Sequence, residues 1–203
     1  MSGMLALAPL PSSKAPPRRM HYWINFIAFQ LVWFAAVGGA SRGWGWVGPL
    51  AFIVFAALHA AWAPRVRGEW RLVVAAIVIG FVVDTLMAAS GMAHYAAPTP
   101  SPNVAPVWIL ALWAAFALTL HHSLAWMSRR PLLAALLGAV LGPVSYLGAG
   151  RVFQAVTFAE PMWISLVVLG ACWFVALFAL CHFALRWRKR IDVAAPLPLM
   201  RAP

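Results

Sequence analysis

The chain has 203 residues, of which 64% are hydrophobic and only 9% charged, and its mean hydropathy is +0.85. A soluble domain is about 45–50% apolar and about 25% charged, so this composition excludes the water-soluble classes and points to a polytopic membrane protein. A net charge of +11 would suggest nucleic acid in a soluble domain, but here the basic residues flank apolar runs, which argues for membrane topology and against a nucleic-acid partner.

In chain order, residues 1–21 are rich in Pro and Ser and read as a disordered cytoplasmic tail. Six apolar runs follow, near 23–40, 44–63, 72–92, 107–127, 132–150 and 162–185. Each is long enough for the roughly 17–25 helical residues that cross a bilayer. None alternates in polarity as a barrel strand would. The expected fold is therefore all-α, a six-transmembrane-helix bundle over 22–187, followed by a basic, Pro-containing cytoplasmic tail at 188–203.

The first run carries Asn25 and Gln30 and ends in Gly38-Gly39-Ala40. That ending loosely resembles a signal-peptide cleavage site, a reading opposed by the polar and Trp residues within the run. The fifth run repeats small residues at Ala134, Gly138 and Gly142, a helix-packing stripe, and Pro143 is expected to kink it. Ser145 and Tyr146 follow. In the sixth run Cys172 and Cys181 stand on opposite helix faces, so they form no intrachain disulfide.

The basic residues orient the bundle. Lys14, Arg18, Arg19, Arg65, Arg67, Arg71, Arg129, Arg130, Arg186, Arg188, Lys189, Arg190 and Arg201 fall on one side; only Arg42 and Arg151 fall on the other. This asymmetry puts both termini in the cytoplasm. Trp residues at both levels, such as Trp62 and Trp126 inside and Trp44 and Trp163 outside, suit the headgroup region.

A polar group inside hydrocarbon needs an explanation, because Asp there costs about 2.5–3.5 kcal/mol on insertion scales. Asp84 is the one acidic residue deep in a run, on a helical face with Gly80, Met87 and Gly91. It is either a proton or substrate group or a structural one bonded to neighbouring helices. His59, His121, His122 and His182 share a cytoplasmic level. Facing imidazoles can hold haem or a metal, but the only acidic residue at that level is Glu69, in the adjoining loop, and the expected set of cofactors and metals is empty. No nucleotide loop, nucleophile elbow or metalloprotease helix is present.

Several stretches together resemble a bacterial inner-membrane family known as domain-of-unknown-function family 2878. They are Asn25-Phe26 through Trp33-Phe34, Gly80 through Asp84-Thr85, Ala105-Pro106-Val107-Trp108, Leu120 through Leu124, and Gly142-Pro143-Val144-Ser145-Tyr146. His121 stands where that family usually carries Asn. The resemblance implies a small multi-pass inner-membrane protein. It also implies association with fatty-acyl-modifying enzymes, and hence membrane lipids as partners.

The leading expectation is an accessory protein, without redox chemistry of its own, that assists lipid modification or handling. Asp84, Asn25, Gln30, His122, Ser123 and Tyr146 would line an intramembrane polar pocket. The alternatives are a proton-coupled permease using Asp84, a haem- or metal-binding membrane enzyme using His59, His122 and His182, and a structural partner for another membrane protein.

Overall fold

Apolar runs rich in Leu, Ala, Val and Phe, interrupted at Gly and Pro, build helices that continue until a turn residue stops them. The computed structural model describes residues 18–192, with side chains for 20–187. Among these residues the elements are α1 (Arg18–Ala40), α2 (Val47–Trp62), α3 (Glu69–Ala89), β1 (Ala93–Tyr95), α4 (Val107–Ala117), α5 (Ala125–Ser128), α6 (Pro131–Phe153), β2 (Val156–Phe158) and α7 (Met162–Asp192). The described residues are all-α apart from one two-stranded ribbon, which the sequence reading did not anticipate.

Four helical stretches have the length and apolarity to cross a membrane: Met20–Ala40, Glu69–Ala89, Pro131–Phe153 and Met162–Trp187. Two shorter apolar helices, Val47–Trp62 and Val107–Ala117, stand where the second and fourth spans were expected. At 1.5 Å per residue α4 is only about 16 Å long, against a hydrocarbon core of about 30 Å. The expected continuous span at 107–127 is therefore broken. After Ala117 the backbone passes into successive turns, with Thr119 N–H bonded to Phe116 O and Leu120 N–H to Ala117 O. The Thr119 hydroxyl also donates to Phe116 O at 2.6 Å. Such side-chain competition for helix carbonyls, at a run of Thr, His and Ser, favours leaving the helix.

Other boundaries shift for local reasons. Residues 18–21, read as tail, form the first turn of α1. The remainder of that tail, residues 1–17, lies outside the described residues. At the other end α7 continues to Asp192, so only 193–203 of the second tail lies outside them. α3 ends at Ala89 because Gly91 takes a left-handed φ of +71° and releases the chain into β1. α6 runs through Pro143 without interruption.

The ribbon pairs antiparallel, with Ala93 opposite Phe158, His94 opposite Thr157 and Tyr95 opposite Val156. It joins the connection after α3 to the one after α6. The α1–α2 turn reaches the same end, since Gly45 approaches Ala97. The opposite end gathers the α2–α3 connection and the start of α1, where the His21 and Trp62 rings stand 4.7 Å apart. Trp187 of α7 lies there too, against Gly68.

The helices close on one another through small residues. A side chain at Gly80 would overlap the ring of Trp113, and one at Gly142 the ring of Trp173. Those two indoles stack with centroids 4.4 Å apart. The expected small-residue stripe on α6 thus receives Trp173 and Leu177 of α7. Outward, Leu31, Ile53, Leu58, Val74, Val82, Val140 and Val167 are each at least 60% exposed. That apolar exterior is what a lipid environment covers.

Gly80→Ala and Gly142→Ala are expected to lower the melting temperature of the detergent-purified protein, because overpacking costs about 1–3 kcal/mol. Gly148→Ala, inside α6 with open space around it, is expected to melt no lower than wild type, since Ala favours a helix over Gly. A Gly142→Ala protein as stable as wild type would contradict this packing.

Candidate functional site

Two groups of buried polar residues stand in the spans, one toward each end of α3. Asp84 and Glu69 are 15 positions apart on that helix, or roughly 22 Å. The single pocket expected from the sequence is thus divided. Asp84 and Tyr146 belong to one group, and Asn25, His122 and Ser123 to the other. Gln30, half-buried on α1, joins neither and lines a separate apolar groove of about 450 Å³ with Trp126 and Leu141.

Asp84 is fully buried. Tyr146 on α6 donates to its Oδ1 at 2.6 Å, Tyr95 on β1 to the same oxygen at 3.0 Å, and Trp113 Nε1 on α4 to Oδ2 at 2.7 Å. Three donors from three elements occupy three of the roughly four acceptor sites of one carboxylate. Burial, with the Asp84 carboxylate beside it, pushes the Tyr95 phenol well above its ordinary range, which keeps it a donor. Beside this group lies a small cavity of about 70 Å³ walled by aromatic rings, among them Trp33, Trp108 and Phe116.

The second group forms where α2 ends, α3 begins and the turn after α4 closes. Gly68, at φ +82°, lets the chain reverse so that Glu69 opens α3. The helix N-terminus there favours a carboxylate. His59 Nε2 lies 2.9 Å from Glu69 Oε1 and His122 Nε2 lies 2.7 Å from the same oxygen. The two imidazoles meet edge-on, with centroids 4.6 Å apart. Behind them, Asn25 Nδ2 stands 3.5 Å from His59 Nδ1, and Ser123 Oγ donates to Asn25 Oδ1 at 2.6 Å. Asn25, His59, Glu69 and His122 are each no more than 6% exposed.

His182 does not join this centre. It is exposed on α7 and stacks on Phe178. Glu69 takes the place expected of it. A loop Glu beside three Arg residues looks solvated in sequence, and only the packing of α2 and the α4–α5 turn over it reveals its burial. Tyr and Trp are among the partners expected of a structural Asp84, but nothing in their local sequence singles out Tyr95 and Trp113.

His59, His122 and Asn25 also form the polar end of a groove of about 420 Å³ between α1 and α2, whose walls are apolar, including Leu31, Val54 and Leu58.

A family model described as protein of unknown function (DUF2878) matches residues 22–179. The chain belongs to this family. No curated protein and no solved structure matches the chain. The matched stretch includes both polar groups and all of the groove except His21.

Removing the Asp84 carboxylate strands three buried donors, at about 1–3 kcal/mol for each group left unsatisfied. Asp84→Ala is therefore expected to lower the melting temperature well beyond Tyr146→Phe, which removes one bond and leaves two. Thermal melts of the three proteins in one detergent check this order; equal melting temperatures for the two variants would contradict it.

Proposed function

We propose that this member of the DUF2878 family is a six-crossing protein of the bacterial inner membrane, with both termini cytoplasmic, that holds a membrane lipid by its hydrocarbon chain. In that role it serves an accessory part in lipid handling or modification. The observation that carries the reading is the α1–α2 groove. Its long walls are apolar and belong to helices whose outer faces are exposed hydrophobics, and its polar side chains are gathered at one end. A bilayer supplies the ligand of that shape, an alkyl chain with a polar head. The volume lies within the roughly 300–1,000 Å³ of small-molecule sites.

The topology is supported by the 13 basic residues on one side against two on the other. It is also supported by the gathering of alternate connections at opposite ends of the bundle. In this arrangement the short α4 completes its crossing through the turns and α5, inside the protein where irregular backbone is tolerated. The polar end of the pocket is set by Asn25, His59 and His122 rather than by Asp84. With three donors fastening it, Asp84 acts as a tie between elements, and the proton-coupled permease reading has no support in its surroundings.

Two measurements test this reading. In native mass spectrometry the gently extracted protein is expected to retain lipid mass. Leu31→Trp with Leu58→Trp, which fills the groove, is expected to reduce it, while Val140→Trp on another face is not. Identical retention in the filled groove would remove the lipid assignment. For topology, with Cys172 and Cys181 replaced by Ser, a Cys introduced at His94 is expected to react with an impermeant maleimide in intact cells. One at Arg129 is expected to react only after permeabilisation. The reverse pattern would invert the orientation.

A further inference from the structure

The geometry points to a metal site: we propose that His59, Glu69 and His122 bind one divalent transition-metal ion of the zinc class. The ion would keep one coordination position open toward the groove. Two imidazoles and a carboxylate are the donor set of an open, three-ligand zinc site. Imidazole nitrogen prefers such ions over calcium or magnesium, which take oxygen ligands.

Three observations support the assignment. The ligands come from three separate elements, the last turn of α2, the first residue of α3 and the turn after α4, and they converge with one ligand atom each within 4.8 Å of the others. Both Nε2 atoms aim at a single point, now Glu69 Oε1, at 2.9 and 2.7 Å. In a tetrahedral site with bonds of about 2.0–2.1 Å the donor atoms stand about 3.3 Å apart, so admitting an ion asks each imidazole nitrogen to draw back from Glu69 Oε1 by about half an ångström and the two nitrogens, now within 4.8 Å of each other, to stand at that same spacing. Finally, His59 and His122 line the groove while Glu69 lies behind them, which leaves the fourth position facing a space that a water or a polar head can enter.

The surroundings supply an outer shell. A histidine that binds metal through Nε2 carries its proton on Nδ1 and donates it to an acceptor. The atom near His59 Nδ1 is the Asn25 amide, at 3.5 Å. Turning that amide over presents Oδ1 to the ring and keeps the Ser123 hydroxyl, which can donate or accept, as a partner, at the cost of two longer bonds, Asn25 Nδ2 to Leu118 O and Ser123 N–H to Asn25 Oδ1, both 3.4 Å. Asn25 is then a positioning residue for His59. The assignment rests on these side chains and does not depend on what occupies the groove.

The test uses the full-length, tag-free protein in detergent, stripped with chelator and titrated with cobalt(II) and zinc(II). One equivalent of cobalt per chain is expected, with the visible absorption of a tetrahedral nitrogen–oxygen site, displaced by zinc. His59→Ala and His122→Ala are expected to lose binding, Glu69→Gln to weaken it at least tenfold, and His182→Ala to leave it unchanged. Asn25→Asp, which puts a carboxylate acceptor behind the ligand imidazole, is expected to tighten binding measurably, a gain that misfolding cannot produce. Zinc is also expected to raise the wild-type melting temperature, since an ion that binds only the folded state stabilises it. The site is overturned if wild type binds no metal at submillimolar concentration, or if binding survives the combined loss of both histidines. Metal stoichiometry and lipid retention are read separately, so failure of one proposal is distinguishable from failure of the other.

Discussion

A carboxylate buried among apolar helices destabilises its surroundings unless its lone pairs are met by donors. α3 buries two of them, one toward each end, and most of the polar architecture follows from satisfying both. Asp84 draws Tyr95 from the ribbon, Trp113 from α4 and Tyr146 from α6 onto two oxygens. Glu69 draws His59 from α2 and His122 from the turn after α4. α3 is thereby tied to its neighbours at both levels.

The two ties differ in what they leave available. Around Asp84 the donors are aromatic side chains packed into the core, and the adjoining space is small and apolar. Nothing there is poised to exchange. Around Glu69 the two imidazoles converge on one oxygen and border a groove large enough for a ligand. A site for chemistry or binding needs such an open side, and a fastening does not. On our proposals, this contrast moves the functional centre from the conspicuous mid-span Asp to the less conspicuous Glu at a helix start.

The break after α4 makes that centre possible. A helix continued through 118–124 would carry His121, His122 and Ser123 around successive faces of one cylinder. The turns instead place His122 on Glu69 and Ser123 on Asn25 together. Thr119, His121, His122 and Ser123 all have modest helix propensity, yet the run that holds them is apolar enough to have been read as one span.

The apolar runs determined an all-α protein with helices long and apolar enough to cross a membrane, placing every helix near its run except the fourth, which breaks ten residues early, and the ordered motifs determined its family, because apolarity and short motifs are local properties. The small-residue stripe on α6 and the structural or functional ambiguity of Asp84 were equally legible. Tertiary structure alone decided which polar groups meet: that Asp84 and Asn25 belong to different centres, that Glu69 is buried and His182 excluded, and that a ribbon joins two connections. Those outcomes depend on how helices distant in sequence rotate and pack against one another, and on where one of them stops. A residue's burial and partners are set by those neighbours, so the same Glu reads as a solvated loop residue in the sequence and as the hub of a buried centre in the fold.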